Sequence, residues 1–218
     1  MRVVTRTMAH TSVIPAKAGI PLFFCANVLE EEAGFPLRGN DGEGPVLVRL
    51  ICHPGTPCAA VEQIEVTVSR AGHMLALHYH VDGAIEALRL PATATPVRTD
   101  GLWQHSCFEA FLRGEDGYQE FNFSPSTRWA AYRFEGYREG MRGADAAAPE
   151  IRTAITAERF ELRVAIDLPD GATRLGLAAV IEETSGRKSY WALAHPPGAP
   201  DFHHSDCFAL DLAAAMDP

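Results

Sequence analysis

Lysine is almost missing from this chain: of 19 cationic side chains, only Lys17 and Lys188 are lysines. The formal net charge is −9. An acidic chain is a poor ligand for nucleic acid or an anionic membrane surface, so neither is expected as a partner. The bias to arginine, with abundant alanine, reflects a GC-rich genome rather than a function. No apolar run approaches the roughly 18–20 residues of a membrane span. The short run IPLFFC (Ile20 to Cys25) is too brief for a secretory signal and lacks the small residue that precedes a lipidated cysteine, so a cytoplasmic location is expected. The 5 cysteines are odd in number and lack a metal-type CxxC spacing, which fits free thiols in a reducing compartment. A convincing amphipathic helix, an internal repeat and a low-complexity tract are missing as well.

At 218 residues and 47% hydrophobic, the chain is long enough for one sizeable core, and one domain plus a tail is expected. Residues 1–44 have no sustained period and end in the turn-rich RGNDGEG, so they are expected to be an irregular or disordered arm, or to precede the true start. Strand alternation begins at residue 45 and continues to about residue 214. VLVRLIC opens it. Ile64, Val66 and Val68 alternate with Glu65, Thr67 and Ser69, and Leu75, Leu77, Tyr79 and Val81 alternate with Met74, Ala76, His78 and His80. A short strand is expected over 87–90. A second hairpin is expected over 150–168, followed by strands at 174–183, 189–193 and 207–212. About ten to eleven short strands with frequent turns define an all-β fold, an antiparallel β-sandwich of jelly-roll type.

The central stretch, residues 100–138, holds two of the 3 tryptophans. It reads as three strands, 107–113, 118–124 and 128–135, the first two joined by the turn GEDG. On the first, Phe108, Ala110 and Leu112 share a face, with Glu109 opposite. On the second, Phe121 and Phe123 share a face, with Tyr118, Glu120, Asn122 and Ser124 opposite. One apolar face for a core and one face of carboxylates, amide and rings suits a hydroxyl-rich ligand such as a sugar.

Trp103, five residues, Glu109 within CFEAFL, and then YQEFNFSP resemble the family 9 carbohydrate-binding modules and the related DOMON-like domains. The segment SYWALAHPPGAPDFHHSDCF resembles the matching C-terminal part of small bacterial DOMON-like proteins. The resemblance covers roughly residues 46–212. It implies that Trp103 stacks on a pyranose and Glu109 accepts its hydroxyls, with a second aromatic and an arginine completing the clamp. Trp129 or Trp191 could be that aromatic, and Arg128, Arg133 or Arg138 that arginine. Glu120 and Asn122 share the face and could join Glu109.

Other chemistries have candidates too. His195, Asp201, His203, His204 and Asp206 crowd one loop, either as the rim of the pocket, as scaffold, or as metal ligands in a spacing that matches no zinc signature. His78 and His80 lie two apart on one strand face and could ligate a metal. Calcium would need clustered oxygen ligands that no run supplies. Haem, which some DOMON relatives bind, would call on Met74 or Met141. Cys107 with a nearby histidine could make a thiol nucleophile, and Glu109 with Glu120 could hydrolyse a glycoside. The reading favoured is non-catalytic binding of a mono- or oligosaccharide on a flat, open site, without a cofactor. The alternatives are a metal or thiol enzyme built on the 195–206 loop, and a haem-binding relative.

Overall fold

The computed structural model describes residues 13–15, 21–24 and 44–212. The alternating runs become strands: β3 (Val46–Cys52), β4 (Val61–Ala71), β5 (Met74–Gly83), β6 (Cys107–Gly114), β7 (Gly117–Phe123) and β8 (Trp129–Phe134). They continue as β9 (Arg142–Gly143), β10 (Glu150–Ile155), β11 (Arg159–Asp167), β12 (Arg174–Glu182), β13 (Lys188–Ala192) and β14 (Leu210–Asp211). Two short strands, β1 (Val13–Pro15) and β2 (Pro21–Phe24), pair with each other, and β2 pairs with β3. Both of these strands fall within the stretch read as an arm. The rest of the expectation for residues 1–43 falls outside the described residues.

Among the described residues every pairing between these strands is antiparallel, and a single parallel bridge joins Arg98 to Trp129. One sheet runs β10-β11-β5-β4-β3 and the other β13-β12-β6-β7-β8-β9. They meet where β13 pairs with β3 through Trp191↔Cys52 and Ala192↔Ile51. The expected β-sandwich is thus present, with the two sheets hydrogen-bonded along one edge. The expected strand at 87–90 is instead a 3-10 turn over Ile85–Ala87, with a single bridge from Leu88 to Glu183. Among the described residues no helix is long and apolar enough to cross a membrane.

The core follows from period-two alternation. Leu50, Ile64, Leu77, Tyr79, Phe108, Phe121, Phe123 and Leu162 meet between the sheets. The ring of Tyr79 fills this core, and its hydroxyl donates to the Glu109 carbonyl at 3.0 Å, so the buried polar tip is satisfied. The GEDG turn works as expected. Gly117 sits at φ 99°, where a side chain would strike the Phe134 carbonyl, so only glycine lets β8 lie this close to the hairpin.

The second sheet departs from a one-sided design. Its outer face is buried as well, by a separate cluster that includes Phe111, Tyr118, Tyr132, Phe134, Phe202 and Phe208. Loop segments fold over that face: Leu102 and Phe202 pack onto it, and the chain around Tyr137 and Arg138 closes its end. The polar side chains expected to be open to solvent are therefore enclosed.

Candidate functional site

The site is assembled by register. Across β6 and β7, Glu109 lies opposite Asn122, Phe111 opposite Glu120, and Arg113 opposite Tyr118. Across β7 and β8, Glu120 lies opposite Tyr132. Directly opposed residues on an antiparallel pair hold their Cβ atoms about 4.5–5.5 Å apart. Glu109, Glu120 and Asn122 therefore form one patch, and they are only 3%, 6% and 0% exposed. The expected flat, solvent-open site is corrected to a loop-covered recess.

The polar groups of this patch are linked. Asn122 donates its amide to Glu120 Oε1 at 2.6 Å and accepts the Cys107 thiol at 3.5 Å. The Arg138 backbone N–H donates to the Tyr118 oxygen at 3.2 Å, and the Tyr118 hydroxyl shares a hydrogen bond with His203 Nδ1 at 2.7 Å, the donor set by the histidine tautomer. The other ring nitrogen, Nε2, faces Glu120 Oε2 at 3.7 Å. The outer end is tied by Asp201, which accepts from the Arg138 guanidinium at 2.8 Å and from the Tyr137 hydroxyl at 2.6 Å. Arg138 adopts φ 56° in this turn, a left-handed conformation uncommon for a residue other than glycine and retained where the surrounding bonds over-determine it.

Among the described residues, the Glu109 carboxyl has no hydrogen-bond or ion-pair partner. Burial, reinforced by the neighbouring Glu120 charge and only partly opposed by Arg138, pushes its pKa well above the usual carboxylate range. Burial raises Glu120 too, against the Asn122 hydrogen bond and Arg138. His203 is pushed down to about 4, by burial first and by Arg138 second, against Asp201. It is therefore a neutral imidazole at neutral pH. Burial also acts to raise Asp201, but the hydrogen bonds from Tyr137 and Arg138 outweigh it and hold the carboxyl below its ordinary range.

A cavity of about 450 Å³ opens at the hairpin end of this face, lined by Arg113, Tyr118, Tyr137, His203, His204 and Phe208 among others. That size falls within the about 300–1,000 Å³ of small-molecule sites. Of the residues singled out from sequence, His203 lines it. Glu120 and Asn122 lie behind His203 in the covered patch, with Glu109 beside them, and none of the three lines the cavity. Trp103 sits on a 3-10 turn, Leu102–Gln104, that packs against β6 and β7, and its ring is 52% exposed. The approach to that turn is anchored by the Tyr132 hydroxyl, which donates to Asp100 at 2.8 Å.

Two expected clamps are corrected. Trp129 and Trp191 both point into the core between the sheets. The Arg98 guanidinium lies 5.1 Å from the Trp129 ring centroid, and the Trp191 indole donates to Ser189 at 2.9 Å. Their parity along β8 and β13 is opposite to that of Tyr132 and Tyr190, so neither can reach the outer face. Tyr137, which was not singled out, is the exposed ring at the cavity. Its only sequence signal was its place beside Arg138 in a glycine-rich turn. Glu182 and His105 were missed too. They meet at 2.8 Å on the far end of the same face, where Arg89 also holds Glu182 at 2.9 Å.

The loop histidines do not converge. His195 bonds the Ile51 carbonyl, His203 bonds Tyr118, and His204 Nδ1 accepts from the Asp206 N–H. The one grouping of metal-ligating atoms among the described residues is His78, His80 and Glu161, on the other sheet. Cys107 is fully buried, and burial together with the Glu109 and Glu120 charges holds its thiol well above the ordinary range, far from a thiolate nucleophile. Met74 packs beside Ala76 and Ala165 on the first sheet, whereas Met141 is exposed between β8 and β9.

Fold and site together define an antiparallel β-sandwich with a carboxyl-rich, loop-covered recess on the outer face of one sheet. No family model, no curated protein and no solved structure matches the chain.

Proposed function

We propose that this protein binds a small hydroxyl-rich ligand, a mono- or oligosaccharide, without transforming it, on the outer face of the second sheet. The observation that carries the reading is the buried Glu109–Glu120–Asn122 patch behind His203, which lines a cavity with an exposed tyrosine at its wall. A recess of this kind presents donors and acceptors in fixed positions, which is what ligand hydroxyls require. Glu109 and Glu120 accept or donate according to protonation, Asn122 and His203 orient them, and Arg138 supplies charge. Trp103 and Tyr137 offer ring faces to the C–H face of a pyranose. The resemblance to carbohydrate-binding modules supports the roles of Trp103 and Glu109.

The test is a tryptophan-fluorescence titration with a panel of mono- and disaccharides. A saturable change that is lost in both Trp103→Ala and Glu109→Ala is expected. A folded protein that responds to no sugar refutes the reading. The two raised carboxyls favour one further possibility, acid–base cleavage of a glycosidic bond. Release of reducing sugar, abolished by Glu109→Gln, would establish it.

A further inference from the structure

The outer face of the first sheet carries an arrangement that the sugar-binding reading does not use. His78 and His80 are two apart on β5 and so project from the same face. Their rings lie against each other, centroids 3.7 Å apart. Register then sets a carboxylate on either side of His80, with Glu161 on β11 opposite it and Glu65 on β4 opposite it from the other flank. Glu65 is engaged by Arg49 at 2.8 Å. Glu161 is turned to the histidines, with its Oε2 3.1 Å from His78 Nε2 and its Oε1 3.9 Å from His80 Nδ1. One ligand atom from each of the three residues falls within 4.8 Å of the others.

Two features of this cluster are unfavourable as it stands. His78 Nε2 receives the Arg163 Nε–H at 3.2 Å while also facing Glu161 Oε2. Arginine can only donate and a carboxylate can only accept. If Nε2 is bare, it opposes the Glu161 oxygen lone pair. If it is protonated, it opposes the Arg163 N–H. Either state leaves one contact mismatched. In addition, His80 Nδ1 is buried and has no hydrogen-bond partner among the described residues, which costs free energy unless something meets it.

A single cation resolves both. We infer that His78, His80 and Glu161 form a binding site for a first-row divalent transition metal ion. Two imidazoles and one carboxylate are the donor set such ions take, with the remaining positions open to water. On a tetrahedral centre with bonds of about 2.0–2.2 Å, ligand atoms lie about 3.4 Å apart. The closest histidine–carboxylate approaches, 3.1 Å to Oε2 and 3.9 Å to Oε1, and the 4.8 Å limit on one atom from each residue are near that value, so the ligand atoms must draw together for the site to close. His78 is the buried anchor, and the partial exposure of His80 and Glu161, 19% and 23% for their side chains, provides the entry path. Arg163 stands where the ion's charge would fall and swings outward when the metal enters.

The experiment is calorimetric titration of the chelator-treated full chain with zinc chloride, alongside cobalt(II) absorption spectra. One equivalent of saturable binding is expected. His80→Ala and Glu161→Gln, at partly exposed positions where folding is retained, should each weaken it beyond the about 10- to 100-fold that even a hydrogen-bonding partner of a ligand is worth. Arg163→Ala should bind at least as tightly as the parent, because it removes a competing cation. His203→Ala and His195→Ala, away from this face, should leave binding unchanged. The inference is overturned by no saturable zinc binding to the folded protein, or by binding that survives His78→Ala/His80→Ala, which would place the ion on other histidines or thiols.

Discussion

Replacing Glu109 with glutamine should make the protein more stable at neutral pH, with a pH profile that identifies the cause. In the unfolded chain a glutamate ionises near about 4.3. In the fold, burial and the Glu120 charge hold the Glu109 pKa well above its ordinary range. Between those two values the native state carries a proton that the unfolded state has lost, so stability falls as pH rises, by about 1.4 kcal/mol per pH unit. The slope persists while Glu109 keeps its proton, and the loss levels off once the native carboxyl ionises. Glutamine has nearly the same shape and no charge to desolvate, so Glu109→Gln should lack this slope. Glu109 and Glu120 titrate as a coupled pair, so Glu120→Gln and the double variant are measured alongside to separate the two carboxyls. Urea unfolding of both proteins at pH 5, 6, 7 and 8 measures the difference directly. Near-equal stability at pH 5 and a growing advantage for the variant toward pH 7 are expected. A difference that is flat with pH, or a variant that loses ground as pH rises, refutes a Glu109 carboxyl raised by burial in the native state.

Phe108→Ala removes a fully buried ring from between the sheets and should cost about 3–5 kcal/mol, read from the urea midpoint. Tyr118→Phe strips a hydrogen-bond partner from His203 and an acceptor from the Arg138 N–H, and should cost about 1–3 kcal/mol with little change in backbone circular dichroism. Arg138→Gly relieves a left-handed backbone of about 1–2 kcal/mol while removing the Asp201 pairing. It should therefore hold thermal stability near that of the parent and abolish the sugar-induced fluorescence change.

Much of the architecture is written locally. Period two in VLVRLIC, in the 64–69 and 75–81 runs and around Phe108 and Phe121 specifies both the strands and the residues of the inner core. Gly117 at φ 99° and the GEDG turn specify the β6–β7 hairpin. Because that hairpin is local, the sharing of a face by Glu109, Glu120 and Asn122 could also be read from the chain. Parity shows that Trp129 and Tyr132, three apart on one strand, point to opposite faces, so only one of them faces the core. Which of the two faced the core was not decidable without knowing which sheet side the loops would cover.

What only the tertiary structure decided are the features that depend on residues far apart in sequence. The outer face of the second sheet is alternately polar and aromatic, so the same pattern fits an open surface or a covered recess. It is covered because Leu102 and the 202–208 segment pack onto Phe111 and Tyr118, and that burial perturbs Glu109 and His203. His78 and His80 were visible as a pair two apart, but Glu161 joins them only because β11 pairs with β5 in the register that sets Glu161 against His80. Alternation along a strand is fixed by the geometry of each residue's own backbone, whereas register and loop cover are set by the sum of distant contacts. The sequence by itself therefore determined the strands and their faces, and the packing decided which face became a site.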